Sequence, residues 1–389
     1  MRILLINSEY PPVGGGASNA SANIASYWVE EGHDVTVITA HYQGFPQNKV
    51  ENGVRVIRIP AGRKKLDRSG PFEQLVFMFA AMWHMWRLTL NWTPDVSVAF
   101  FGVPSGPAAL LLKWWKGVPY IVSLRGSDVP GFRSYDFAVY HWFLAPLIKL
   151  IWRQASEVIA NSEGLRGLAT NFDPTVPIQV ISNGVNSNQF HVSIRQWEPP
   201  VLLTVGRLVH QKGIDVLFRG LASLKEMDWK LMVVGDGKDR NQLEMLTTKL
   251  EIHDRVEFVG WQPRDALIDY YQAANLYVHP SHDEGMSNAI LEAMACGLPV
   301  LATDVSGNIE VILDGKTGML IPPGDSHSLR QVLKELLIDP ERRRAFGTAG
   351  RERVVHSYSW EQTSQQYIEV FLGINKVPKV NKVRGYYPE

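Results

Sequence analysis

Residues 276–303 read LYVHPSHDEGMSNAILEAMACGLPVLAT. The stretch opens on an apolar strand pattern, Leu276–His279, and passes through a loop holding Glu284 and Gly285. It then runs into a helix pattern over Ser287–Ala295 and ends on a second apolar strand, Val300–Thr303. Two buried-type strands joined by a helix imply a parallel pair with the helix crossing one sheet face. The stretch also places two carboxylates. Glu284 stands just ahead of the helix start, and Glu292 lies about two turns inside it. A helix start offers unpaired backbone N–H groups and a positive dipole end, which together bind phosphate. Carboxylates on either side of such an anion site suit a ligand with phosphates in the middle and sugars at both ends, a nucleotide sugar. On this spacing alone, a solvated glutamate followed by an ordinary cap is the plainer alternative.

Working outward, the same alternation fills the chain. Before the linker expected at Trp197–Pro200, strand patterns occur at Arg2–Asn7, Asp34–Thr39, Val54–Ile59, Val96–Phe100, Tyr120–Leu124 and Glu157–Ala160. Helical patterns lie between them, notably Asn19–Glu31 and Pro71–Asn91. After the linker come strands Val201–Val205, Lys230–Val234 and Val256–Val259, with helices Ile214–Lys225 and Asp239–Leu250. Strand–helix alternation predicts parallel sheets covered on both faces. The fold class is therefore α/β, two Rossmann-like domains in tandem facing each other across a cleft. Their expected extents are 1–197 and 198–359, and Trp360–Leu372 reads as one more helix. In such sheets ligands bind beyond the C-terminal strand ends.

Composition narrows the function. A chain of 389 residues suits two domains, and 45% hydrophobic with 20% charged residues is globular. Lys plus Arg and Asp plus Glu are each 39, so a net charge of zero argues against nucleic acid as partner. The one cysteine, Cys296, allows no intrachain disulfide and fits a reducing compartment. MRILLIN is too short an apolar run for a signal peptide, and no uncharged apolar window is long enough to span a bilayer. The expected location is cytoplasmic. The polar, basic tail after Lys376 is expected to be poorly ordered.

Several loops carry candidate chemistry. Gly14, Gly15 and Gly16 join the first strand to the first helix, where glycines let backbone approach a ligand. The spacing is not the dinucleotide fingerprint, which disfavours a dehydrogenase. Arg207 and Lys212 follow Val201–Val205. A guanidinium fork and a mobile ammonium there suit phosphate oxygens, and could neutralise a diphosphate leaving group without a metal. Glycine turns at Asn183-Gly184-Val185 and Gly235-Asp236-Gly237 mark further strand ends, and Gly307–Glu310 opens another helix. No His/Asp/Glu cluster has metal-ligand spacing. The basic runs Arg342–Arg344 and Arg351–Arg353 read as solvated helix faces.

NGV at 183–185, GRL…KG at 206–213, VVGDG at 233–237, VEFVGW at 256–261 and EGMSNAILEAMACGLPVLATDVSGNIEVI at 284–312 occur in order, with PPVGGGA and ANSEGL in the first half. As a set they resemble family four of the retaining, nucleotide-sugar-dependent glycosyltransferases, which have the GT-B fold. The resemblance implies that Arg207 and Lys212 bind the donor diphosphate, that Glu292 holds the ribose and that Glu284 contacts the transferred sugar. Backbone amides of Gly285, Met286, Ser287 and Asn288 would assist, Gly14–Gly16 would close over the phosphates, and the loop after Phe258 would line the base pocket. It further implies that the last helix crosses back onto the first domain, that no metal or cofactor is needed, and that transfer is front-face. UDP- and GDP-linked donors both stay open. Where family members often carry His-Gly, this chain has Arg125-Gly126; Arg125 is a candidate contact to the donor sugar or a phosphate, or a partner for Asp128. Within the fold, a nucleotide-sugar epimerase remains an alternative, as does a non-catalytic nucleotide-sugar-binding protein.

The first half is rich in tryptophan, including Trp83, Trp86, Trp92, Trp114, Trp115, Trp142 and Trp152, with Arg63, Lys64, Lys65, Arg68, Lys113 and Lys116 nearby. Aromatics beside cations are what a peripheral membrane patch uses. Packing on the sheet is the competing use of Phe72–Trp92. The acceptor expected is a glycan or a lipid-linked glycan at the inner face of the cytoplasmic membrane.

Overall fold

The computed structural model of the protein describes residues 1–66, 69–193 and 198–376. Arg68, Trp197 at the expected domain boundary and the tail after Lys376 lie outside the described residues. The first sheet contains β1 (Arg2–Ile6), β2 (Asp34–Ala40), β3 (Asn48–Glu51), β4 (Val54–Ile59), β5 (Val96–Phe100), β6 (Tyr120–Leu124), β7 (Glu157–Ala160) and β8 (Ile178–Val180), ordered β3-β4-β2-β1-β5-β6-β7-β8. The second contains β9 (Val201–Val205), β10 (Lys230–Val234), β11 (Val256–Gly260), β12 (Leu276–His279), β13 (Val300–Thr303) and β14 (Met319–Ile321), ordered β11-β10-β9-β12-β13-β14. Each sheet reverses its strand order at the middle, between β1 and β5 and between β9 and β12. Those reversals open crevices at the carboxyl ends of the strands.

Helices α1 (Gly16–Glu30), α2 (Pro71–Leu88), α3 (Gly106–Lys116), α4 (Ser134–Gln154) and α5 (Glu163–Phe172) belong to the first half. The second half adds α6 (Ile214–Ala222), α7 (Arg240–Lys249), α8 (Leu267–Gln272), α9 (Asn288–Ala295), α10 (Ser306–Val311), α11 (Ser326–Ile338), α12 (Pro340–Ser357) and α13 (Trp360–Lys376). One face of the first sheet is covered by α2 to α5 and the other by α1 and α13. In the latter layer Trp28 of α1 meets Tyr367 and Phe371 of α13 edge-on. The C-terminal helix thus closes over the first sheet after the second is complete. Local signals explain the helix ends. Ser162 caps α5 by accepting from the Leu165 N–H, and Asp325 and Asp339 cap α11 and α12 in the same way.

Three features depart from the sequence expectations. β3 pairs antiparallel with β4 through Asn52-Gly53, both at positive φ, a hairpin that the strand pattern alone does not include. Gly16 is not loop but the first residue of α1. The basic runs of α12 are not simply solvated faces, because three of their arginines turn inward onto helix C-termini. Arg343 donates to Leu336 and Leu337 O at the end of α11. Arg351 donates to Ala295 O at the end of α9, and Arg353 to Glu310 and Val311 O at the end of α10. The last carbonyls of a helix lack intrahelical partners and form its negative pole, so a guanidinium satisfies them well. Arg342 and Arg344 do face outward, on Glu335 and Glu341.

Candidate active site

The crevice between β9 and β12 gathers most of the residues singled out from the sequence. β9 feeds the loop carrying Arg207 and Lys212, and neighbouring β12 feeds the loop carrying Glu284. Gly213, at φ 59°, allows the two loops to touch, since a Cβ there would lie 2.0 Å from Pro280 O. The result is an ion pair between the half-buried Lys212 Nζ and the buried Glu284 Oε1. His279, the last residue of β12, approaches the same carboxylate oxygen through Nε2 at 2.8 Å. Burial holds the His279 ring below the usual histidine pKa, so at neutral pH it is uncharged. Nε2–H then donates to Glu284, and Nδ1 accepts from the Tyr277 hydroxyl at 3.1 Å. Burial alone would raise the Glu284 carboxyl, but the Lys212 charge and the His279 hydrogen bond outweigh it. The carboxyl is held well below the usual range and stays ionised.

Arg207 contrasts with Lys212. Its side chain is exposed and makes no hydrogen bond or ion pair among the described residues. Its loop is braced from behind by the Gly235–Gly237 turn, where Leu208 N–H donates to Asp236 O and Asp239 N–H to Leu208 O. A Cβ at Gly237 would lie 2.2 Å from Leu208 O, so the turn is a structural support.

Ahead of α9, Gly285, Met286 and Ser287 are buried residues, and their backbone N–H groups find no acceptor among the described residues. Buried N–H groups are normally paired, so three in succession at a helix start form an anion cradle. From the opposite sheet the three-glycine loop comes up to it: Asn288 Nδ2 donates to Gly16 O at 3.2 Å. Gly15 has open space where a side chain would stand.

Glu292 lies on the buried side of α9, with Oε1 3.0 Å from Arg264 Nη1 and Oε2 accepting from Tyr271 at 3.0 Å. Burial raises its carboxyl, against the pull of Arg264 and Tyr271. Arg264 comes from the segment just after β11, so the loop following Phe258 and Glu292 are neighbours.

Arg125 is turned away from Asp128: it is the Arg125 backbone N–H that reaches Asp128 Oδ1, at 2.9 Å. Its guanidinium lies 4.2 Å from the Phe100 ring centre and donates to Asn183 Oδ1 at 2.7 Å and to Tyr367 at 3.1 Å. Asn183 in turn donates to Asn288 Oδ1 at 2.8 Å. Arg125 thus ties the first sheet, α13 and the start of α9 together. A further bridge was not foreseen. Both carboxylate oxygens of Glu310 accept from the first turn of α5, from Glu163 N at 2.9 Å and Gly164 N at 3.0 Å. His279, Tyr277, Arg264 and Tyr271 also escaped the sequence reading. Only His279 left a local signal, a polar residue ending an apolar strand. Among the described residues no group of three or more His, Cys, Asp or Glu is arranged to hold a metal ion.

Comparison with known proteins agrees with this geometry. A family model described as glycosyl transferases group 1 matches residues 186–353, and one described as a glycosyl transferase 4-like domain matches residues 15–184. An uncharacterized glycosyltransferase of Methanocaldococcus jannaschii is 26% identical over 95% of this chain and 98% of its own length. A GDP-mannose-dependent alpha-(1-6)-phosphatidylinositol monomannoside mannosyltransferase of Mycolicibacterium smegmatis is also 26% identical, over 95% and 98%. The structure of sucrose-phosphate synthase from Thermosynechococcus elongatus superposes with a TM-score of 0.84 at 24% identity, covering 96% of this chain and 99% of that one. At that identity the likeness speaks for the GT-B fold alone.

Proposed function

The chain belongs to the group 1 glycosyltransferases, and on that premise we propose that it moves a sugar from a UDP- or GDP-linked donor to a glycan or lipid-linked acceptor, with retention of anomeric configuration. The setting proposed is cell-envelope or exopolysaccharide synthesis at the inner face of the cytoplasmic membrane. The observation that carries this reading is the pairing of Lys212 with ionised Glu284 beside three backbone N–H groups and an Arg207 side chain that have no partner among the described residues. The relative whose name specifies GDP-mannose and a phosphatidylinositol acceptor supports a lipid-linked acceptor.

In this scheme residues 198–359 bind the donor, and residues 1–197 with α13 bind the acceptor. Arg207, Lys212 and the amides at 285–287 take the diphosphate, and Glu284 takes hydroxyls of the sugar. Glu292 takes the ribose, with Gly14–Gly16 closing over the phosphates. The bond from the anomeric carbon to the phosphate oxygen breaks, and its electron pair leaves with the phosphate. The acceptor oxygen bonds to the same face of the carbon, and its proton passes to the departing phosphate oxygen. Charge gathers on the diphosphate, where pre-organised donors act most strongly in a closed cleft. Side-chain cations supply the neutralisation, so the scheme calls for no metal. Arg125 acts as a positioning residue through Asn183 and Asn288.

The test is turnover with a panel of UDP- and GDP-sugars and a membrane glycolipid extract, with the product anomer read by NMR. The reading expects a product of retained configuration, lost in Lys212→Ala. An inverted product would sink the retaining mechanism, and no transfer from any donor would sink the enzyme.

A further inference from the structure

α2 is apolar on two sides. Phe77, Ala81 and Met85 bury one stripe against the sheet, while Phe72, Phe79, Trp83 and Trp86 form a second stripe that is exposed among the described residues. Trp83 is 56% exposed and stacks on Trp86, whose ring is 6.2 Å from that of Trp115 at the end of α3. Trp114 beside it is 61% exposed. On α4 the same division recurs: Ile148, Ile151 and Trp152 face the core, and Trp142 (73% exposed) and Phe143 face out. All three helices cover the same face of the first sheet. A surface helix normally turns charged residues outward, and contiguous exposed aromatics mark an interaction site.

Most of the charges around these aromatics are positive. Arg87, Lys116 and Lys149 make no ion pair among the described residues, and Lys116 and Lys149 lie over Trp115 and Phe172. Exposed Lys64 and Lys65 adjoin the start of α2. The nearby carboxylates are already engaged, Glu73 with the backbone N–H groups of Lys64 and Gly70, and Asp136 with Arg133. No helix among the described residues is long and apolar enough to cross a membrane.

We infer that the outer face of α2, α3 and α4 is a docking surface for an anionic phospholipid bilayer, with the aromatics entering the interface and the cations meeting the headgroups. The inference deepens the lipid-linked acceptor reading and takes its purpose from it, although the docking itself does not require catalysis. The start of α4 shows how the two connect. Tyr135 donates to Asp283 at 2.9 Å and meets the His210 ring, next to Glu284 and Lys212. A helix lying on the bilayer thus begins at the mouth of the candidate active site.

The experiment is co-sedimentation of the full chain with vesicles of phosphatidylglycerol mixed into phosphatidylcholine, against pure phosphatidylcholine. Two triple variants accompany it, Phe79→Ser/Trp83→Ser/Trp142→Ser and Arg87→Glu/Lys116→Glu/Lys149→Glu. The proposal expects salt-sensitive binding to the anionic vesicles. Because each basic residue near such a surface contributes about a fivefold factor, it also expects a drop of about tenfold or more in either variant. Melting temperature and binding of a nucleoside diphosphate should stay unchanged in both. Three results would overturn it: no wild-type binding, equal binding by the variants, or a dimer that the aromatic substitutions dissociate. Vesicle binding without glycosyl transfer would refute the proposed function and leave the docking surface standing; transfer to a water-soluble acceptor without vesicle binding would do the reverse.

Discussion

The second half of the chain buries charge, and the first half exposes apolar surface. Around β9 and β12 a lysine, two carboxylates and a histidine are taken out of water, each satisfied by a named partner. On the outside of α2, α3 and α4, tryptophans touch one another but keep one side in water. Both arrangements are unfavourable for an isolated globule, and each makes sense once something binds. In the proposed reading the buried charges are fixed ahead of a polar ligand, and the exposed rings meet a bilayer. The difference teaches that two costly features ask for different tests: paired buried charges for a polar ligand, open aromatic surface for an apolar one.

The sharpest break in that comparison is Lys212→Ala. It leaves the buried Glu284 carboxylate with only the His279 hydrogen bond, and because Lys212 is itself partly exposed the loss of stability should be about 2–3 kcal/mol, below that of a fully buried pair. Loss of a pre-organised donor should also lower kcat by roughly 10² to 10³. Denaturant titration and turnover check the two effects, and a variant as stable as wild type would show that the pair is not buried in solution. Arg207→Ala should behave differently. With no partner to strand, it leaves the melting temperature within noise, while weakening nucleotide binding by about 2 kcal/mol, the scale of a charged hydrogen bond. Arg351→Ala should cost about 1–2 kcal/mol of stability through the uncapped end of α9, with little change in donor affinity.

A pH comparison sharpens the contrast between the two glutamates. The folded pKa of Glu284 is depressed, so its ionised form contributes stability above the ordinary carboxylate pKa of about 4, which is lost as pH falls through the lower folded value. That of Glu292 is raised, so its contribution is complete below the ordinary value and fades as pH rises through the folded one. The stability lost in Glu284→Gln should therefore shrink on acidification, and that lost in Glu292→Gln should grow. Denaturation of both variants at acid and neutral pH measures this, and parallel curves would contradict it. The smallest effect belongs to the aromatic face, where Trp142→Ser should change stability by no more than about 0.5 kcal/mol, as surface substitutions do.

Much of this was legible in the sequence because it is local. Apolar runs bounded by glycine turns gave most of the strands, and the family resemblance pointed to Arg207, Lys212, Glu284 and Glu292, of which the fold brings Lys212 and Glu284 into contact. What escaped was long-range. Arg264 lies far from Glu292 in the chain, and Glu310 meets α5 across 147 residues, so neither contact leaves a periodic trace. Arg343, Arg351 and Arg353 looked like solvent charges because a pattern cannot say that a helix end lies opposite. The apolar pattern of α2 was visible, but only the fold tells its buried stripe from its open one.

The central claim is that Arg207, Lys212 and the start of α9 form a diphosphate site. It is tested most directly by calorimetric titration of UDP, GDP, ADP and dTDP into wild type and Arg207→Ala. Saturable binding of one of these nucleotides by the wild type, weakened about tenfold or more in the variant, is the result expected from losing one charged hydrogen-bonding group. Equal binding by both proteins, or no binding of any nucleotide by the wild type, would contradict it.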